Sequence, residues 1–292
     1  MIQYLYLGRV AYSEGLRLQE EFVALRSAGC IQNTLLLLEH PSVLTLGRNA
    51  TRANILVSDQ ILRERGVTVH EINRGGDVTY HGPGQLVGYP IFDLRTLSNP
   101  TGGRLGPVDF IRRIEEALMR LCAVYGVHAG RIPGLTGVWC GPLDEPQPLS
   151  EGLISAGGRK IGAIGIHVSR GITSHGFAFN VTTDLRNFQL INPCGITDRP
   201  VTSLEKEIAN PGKLPSLEAL AVQAAGQFGL VFGEQMLSVE NLDALRARAQ
   251  SARPHVAAQE AARPQTVPQD TPLQVPREVE RLRDPREHPT RA

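Results

Sequence analysis

Apolar residues along this chain fall into short runs separated by longer stretches with helical spacing. Runs at 2–7, 34–38, 43–46 and 67–72 predict strands, and Leu86, Val87, Tyr89, Ile91, Phe92 and Leu94 predict another. Leu16, Leu18, Phe22 and Leu25 predict a helix from a Ser13 cap to about Arg26, stopped by Gly29. Ser58 caps a short helix ending at Gly66. The clearest helix covers 109–125, with Phe110, Ile114, Leu118, Leu121 and Tyr125 on one face and Gly126 closing it. Residues 152–181, alternately apolar and punctuated by glycine, predict three antiparallel strands near 153–156, 160–168 and 175–182. Thr202-Ser203-Leu204-Glu205 reads as a capping box, and helices are expected near 216–228 and 239–249. Segments 98–106 and 141–150, rich in glycine or proline, read as surface loops. Helices among many short strands point to one α/β domain over 1–250, a mixed sheet with flanking helices.

Beyond 250 the pattern stops. Residues 251–292 carry seven prolines, mixed arginine and glutamate, and no aromatic residue. Such a segment cannot bury enough surface to offset its ordering entropy, so it is expected to be disordered.

Composition narrows the function. A net charge of +1 over 292 residues gives no electrostatic footprint for nucleic acid or an anionic membrane. No apolar run is long enough to span a bilayer, the leucines at 35–38 included, and the first residues lack the layout of a signal peptide, so the cytoplasm is the expected compartment. Cys30, Cys122, Cys140 and Cys194 show no metal-ligand spacing, and no other set of residues suggests a metal site. Cys122 and Cys140 lie in apolar runs and read as core thiols.

Three features carry chemistry. Residues 74–94 hold five glycines and two prolines among Arg74, Asp77, Thr79, Tyr80 and His81, a polar glycine-rich loop delivered to a core strand. It floors a binding site or makes a structural turn. Of 30 basic residues only Lys160, Lys206 and Lys213 are lysines, and Lys160 follows Arg159 at the start of a glycine-rich strand. A lysine in a dry site releases its proton and an arginine does not, so Lys160 is either a titratable amine or a chance survivor of the bias. Cys194 stands between Pro193 and Gly195, a better setting for a nucleophile than an apolar stripe, although a lone loop cysteine is commonly inert.

Taken together, RGGDVTYHGPGQ (74–85), RKIGAIG (159–165) with SHGFAFNV (174–181), and NPCGI (192–196) resemble the lipoyl(octanoyl) transferases of lipoate biosynthesis. Glu39-His40 and Thr45-Leu46-Gly47 form a weaker upstream match, and the resemblance covers roughly 3–230. It implies a mixed-sheet fold shared with the catalytic domains of biotin and lipoate protein ligases. It implies transfer of an octanoyl group from octanoyl-acyl carrier protein to a lysine of lipoyl domains, those of 2-oxoacid dehydrogenase complexes and of the glycine cleavage H protein. No cofactor is implied, and a monomer is expected.

Carried onto this sequence, the resemblance makes Cys194 the nucleophile of an acyl-thioester intermediate and Lys160 its general acid/base. Arg74, Gly75, Gly76, Asp77, Val78, Thr79, Tyr80 and His81 would line the acyl pocket, with Ala163, Ile164, Gly165, Gly176, Phe177 and Ala178. Small residues such as Ala163 and Gly165 would leave room for the chain. His81 and His175 either shape the site or are structural, and His40 and His167 are read as structural. The nearest rival is an ATP-dependent lipoate or biotin ligase, which needs no cysteine nucleophile; a non-catalytic lipoyl-domain scaffold is a third reading.

Overall fold

The structure is a computed structural model. It describes residues 1–99, 102–143, 147–148, 154–155, 157–192, 199–210, 212 and 214–261, with 253–261 as backbone only. The strands are β1 (Ile2–Arg9), β2 (Asn33–Glu39), β3 (Val43–Leu46), β4 (Thr68–Glu71), β5 (Val78–His81), β6 (Gln85–Ile91), β7 (Ala129–Ile132), β8 (Leu135–Cys140), β9 (Gln147–Pro148), β10 (Ile154–Ser155), β11 (Arg159–Ser169), β12 (Ile172–Asn180) and β13 (Met236–Ser238). The helices are α1 (Tyr12–Ser27), α2 (Asp59–Glu64), α3 (Pro107–Val124), α4 (Leu204–Glu207), α5 (Leu217–Phe232) and α6 (Leu242–Ala261).

Eight strands form one mixed sheet in the order β13-β1-β2-β6-β12-β11-β8-β7, parallel from β13 to β2 and antiparallel thereafter. The leucine run of β2 is buried on both faces, as a central covered strand requires. Leu35 and Leu37 join Phe110, Ile114, Leu118 and Phe228 of α3 and α5 on one face. Leu36 and Leu38 join Leu18 and Phe22 of α1 and Leu245 of α6 on the other. The mixed-sheet α/β class read from the sequence is therefore present, with helices on both faces.

A small second sheet, β4-β3-β5, packs its own core of Leu44, Leu46, Val78, Tyr80, Phe188 and Leu190. The expected hairpin of β11 and β12 turns through Arg170 (φ 50°) and Gly171 (φ 83°), the two left-handed residues of a type I′ turn.

Several local readings change. Helix α1 begins at Tyr12 with Ala11 at its N-cap, so Ser13 lies inside the first turn and caps nothing. The helix thus starts two residues earlier than expected, with the Tyr12 ring buried. The Thr202 hydroxyl donates to Glu207 Oε1 at 2.6 Å in place of a capping box, and Ser203 at the N-cap makes no side-chain cap. Residues 78–81, read as part of a glycine loop, form a strand, and β7 and β8 form where only an apolar run was seen. The short β10 pairs with β9 and not with β11.

Contacts group Met1–Val256 into one compact unit, and Ala257–Ala292 into a second, of which only helical backbone to residue 261 is described. Helix α6 thus runs past residue 249, where it was expected to end. Ala247, Ala249, Ala252, Ala257 and Ala258 supply strong helix propensity in that stretch. The rest of the expected tail lies outside the described residues. No helix among the described residues is long and apolar enough to cross a membrane.

Candidate active site

A cavity of about 190 Å³ is lined by the α1-facing side of the large sheet, by β5 and by the glycine loop that precedes it. For scale, a dry cavity of about 150 Å³ accepts a benzene ring. Val87, Phe177, Ala178, Ala163, Ile164 and Leu135 give it apolar walls, and Arg74, Thr79, His81, His175 and Lys160 give it polar ones. A short alkyl chain fits such a lining, and each buried methylene gains about 0.8 kcal/mol.

Side-chain alternation along β5 sorts the predicted pocket residues. Thr79 and His81 face the cavity, whereas Val78 and Tyr80 are buried in the core of the small sheet. Asp77 also stays out of the cavity. Its Oδ1 accepts the Val78 N–H at 2.7 Å and its Oδ2 accepts Asn54 Nδ2 at 2.5 Å, so it shapes the loop. Arg74, Gly75, Gly76, Ala163, Ile164, Gly165, Gly176, Phe177 and Ala178 all line the wall.

The glycines do not do this by leaving space. A β-carbon on Gly165 would stand 2.7 Å from the Gly75 carbonyl oxygen, and one on Gly176 would stand 2.0 Å from that of Gly88. Their smallness lets backbone approach backbone, which corrects the expectation that Gly165 makes room for the chain.

A hydrogen-bond chain fixes the protonation of His81. Asn180 Nδ2 donates to Thr202 O at 2.9 Å, leaving Asn180 Oδ1 to accept from Gln85 Nε2 at 2.9 Å; that amide also donates to Tyr80 O at 3.1 Å. Gln85 Oε1 must then accept from His81 Nδ1–H at 2.8 Å. His81 Nε2 is left with its lone pair and faces the Thr45 hydroxyl at 3.4 Å. Thr45 in turn accepts from Arg74 Nη2, at 3.0 Å on Oγ1 and 2.8 Å on its carbonyl.

Burial pushes His81 down to about 3, with the His40 ring and Arg74 acting in the same direction against the Gln85 bond. Burial and then Arg74 push His175 to about 4, and its Nε2 donates to Asn73 Oδ1 at 2.7 Å. His40 is also pushed to about 4 by burial; its Nδ1 donates to Val10 O and its Nε2 accepts from Tyr89 Oη, each at 2.6 Å. At neutral pH all three imidazoles are uncharged. His167 borders a separate groove beside Arg48 and Val108.

Lys160 lies on the cavity wall near the start of β11, with Nζ 4.9 Å from the centre of the Trp139 ring. Cys194 lies outside the described residues, but the chain on both sides of it is fixed. Upstream, Asn192 N–H donates to Asn54 O at 2.8 Å and Ile191 bridges Ile55. Downstream, Lys160 N–H donates to Pro200 O and Thr202 N–H donates to Lys160 O, both at 2.9 Å. Among the described residues no group of His, Cys, Asp and Glu could hold a metal ion. Cys122 and Cys140 are buried free thiols, as their apolar settings suggested.

Sequence reasoning missed Tyr12, Val87, Tyr89, Gly134, Leu135 and Thr136 on the cavity wall. Val87 and Tyr89 carried a signal: they are the odd positions of β6, opposite in facing to Leu86. Tyr12 carried none, since nothing in its segment marks which aromatic residue of an amphipathic helix faces a cavity.

Comparison with known proteins covers nearly all of this architecture. Residues 11–226 match the lipoyl protein ligase A/B catalytic domain family. An octanoyltransferase of Acidobacterium capsulatum is 56% identical over 82% of this chain and 94% of its own length. One from Koribacter versatilis is 52% identical over 84% and 90%. Among solved structures, a bipartite lipoate protein ligase from Thermoplasma acidophilum aligns with a TM-score of 0.57 at 15% identity, covering 91% of this chain and 98% of that one. A lipoate-protein ligase A bound with ATP aligns at 0.54 and 17%, covering 86% and 94%. These structures share the fold.

Proposed function

The chain belongs to the octanoyltransferases, acyltransferases of lipoate biosynthesis, and from that premise we propose that Cys194 and Lys160 carry the octanoyl group through a thioester. The donor is octanoyl-acyl carrier protein. Lys160 takes the Cys194 proton, and the thiolate attacks the donor carbonyl. The carrier thiol leaves with the proton returned by Lys160. The lysine amine of a lipoyl domain then attacks the enzyme thioester and loses a proton to Lys160, forming the amide and releasing the Cys194 thiolate. A free thiol has a pKa of about 8.5, so a nearby base and a positive charge both raise the reactive fraction. A positioned proton-transfer group contributes roughly a hundred- to ten-thousand-fold.

The observation that carries this reading is an amine on the wall of an apolar cavity, Lys160, whose backbone holds the chain returning from Cys194. The apolar walls suit an eight-carbon chain. Acceptors are lipoyl domains of 2-oxoacid dehydrogenase complexes and of the glycine cleavage H protein, and the enzyme acts as a cytoplasmic monomer. A catalytic unit of 1–250 completes the proposal.

Intact mass after mixing with octanoyl-acyl carrier protein without ATP, beside the Cys194→Ser variant, tests it. A hydroxylamine-sensitive octanoyl adduct on the wild type alone is expected. Modification of a lipoyl domain only when ATP and free octanoate are present would instead move the chain to the ATP-dependent ligases.

A further inference from the structure

Glu115 is a carboxylate with no solvent exposure, in the middle of α3. Its Oε2 accepts from Arg112 Nη1 at 2.7 Å and from Arg131 Nε at 2.9 Å, which neutralises the buried charge. Its Oε1 accepts the backbone N–H of Gly137 at 3.0 Å. Gly137 falls in the gap of the β7 ladder, whose register shifts between Gly130 and Ile132, and lies one residue past the last pair with β11, Val138 with Gly162. Gly137 thus belongs to no pair of either ladder, and the carboxylate gives its amide an acceptor from the helix.

Gly137 has φ +129°, a conformation that side chains rarely adopt. A β-carbon there would lie 2.6 Å from Gly162 O, 2.7 Å from Lys160 Cε and 3.5 Å from Lys160 Nζ. The lysine stem thus lies against the bare α-carbon of Gly137, and its ammonium sits beside the Trp139 ring two residues on. Any movement of the β8 backbone at Gly137 displaces the amine.

We propose that Glu115, acting through the Gly137 amide, is a positioning residue for the Lys160 amine. Glu115 reaches Lys160 through the β8 backbone, so its effect is on where the amine stands. The consequence for turnover rests on Lys160 being the acid/base of the transfer.

With three lysines in the chain, reductive ¹³C-methylation gives a small set of resonances. Those of Lys160, whose Nζ stands 4.9 Å from the Trp139 ring centre, are expected to be set apart by its ring current. In Glu115→Leu, checked for folding by its thermal transition, the Lys160 resonance is expected to move toward those of the other lysines. In Glu115→Gln, which keeps an acceptor for the Gly137 amide, it is expected to hold its place. On unmethylated enzyme the leucine variant should lose on the order of ten- to a hundredfold in kcat with KM for the donor unchanged, as misplacement by about an ångström does. A folded Glu115→Leu protein with an unmoved Lys160 resonance overturns the positioning role. A fully active Lys160→Ala enzyme overturns the catalytic reading alone, because the resonance measurement does not depend on turnover.

Discussion

Gly165 of β11 and Gly75 of the preceding loop touch backbone to backbone. The Gly75 carbonyl oxygen stands 2.7 Å from where a Gly165 β-carbon would be, and the Gly75 N–H donates to Ile166 O at 3.1 Å. Arg74, whose Cδ is 3.3 Å from the same point, is thereby laid along the cavity wall.

Gly165→Ala should therefore push the 74–76 loop away from the sheet. A loss of about 1–3 kcal/mol, the usual range for overpacking, is expected in urea unfolding. Transfer activity should fall with it. Unchanged stability and activity would mean that the loop gives way freely.

Gln85→Leu removes the hub that binds His81 Nδ1, Tyr80 O and Asn180 Oδ1. Each buried polar group left unpaired costs about 1–3 kcal/mol. The variant should unfold at clearly lower denaturant concentration, and the His81 ring should lose its single tautomer, which ¹⁵N shifts of the imidazole report directly.

The neutral imidazoles give the fold an acid limit. His81 is held at about 3 and His40 and His175 at about 4, against an ordinary value of about 6.5 in the unfolded chain. Between those limits the unfolded state binds more protons, so stability is full above about pH 6.5 and declines as pH falls toward 4. Each imidazole contributes a slope of about 1.4 kcal/mol per pH unit in that window. Thermal transitions measured from pH 7.5 to 4 should drop steeply below 6.5, and His40→Gln should flatten the curve if it folds.

Lys160→Arg keeps a cation beside Trp139 but cannot release its proton. Transfer is expected to fall by roughly a hundred- to ten-thousand-fold with the thermal transition nearly unchanged. An arginine enzyme with near wild-type turnover would exclude proton transfer at this position.

The sequence showed the large sheet well because its strands follow simple rules. Leucines fill the covered strand β2, and apolar alternation marks β6, β11 and β12. It showed β5 poorly for a physical reason. Thr79 and His81 are polar and look like loop residues, yet they point inward to a cavity whose polar contents are invisible to hydropathy. Strands β7 and β8 were hidden by Gly130 and Gly137, which break periodicity where the registers shift. Arg74, Ala163, Ile164 and Ala178 were placed by motif and do line the cavity, whereas Asp77, Val78 and Tyr80 shared the motif and turn away. Motif membership marks a segment, and strand period decides which half of it faces the cavity.

The core of the small sheet contains Phe188, Leu190 and Ile191 beside residues of β3 and β5. The stretch leading to Cys194 is therefore part of that sheet's cooperative unit, and it cannot detach while the sheet stays closed. Hydrogen exchange at Leu56, Ile191 and the amides of β5 should proceed through one shared opening, slower than at surface loops. Ligands that close this unit would slow all of those amides together, so protection of the small sheet reports occupancy of the cavity from a distance.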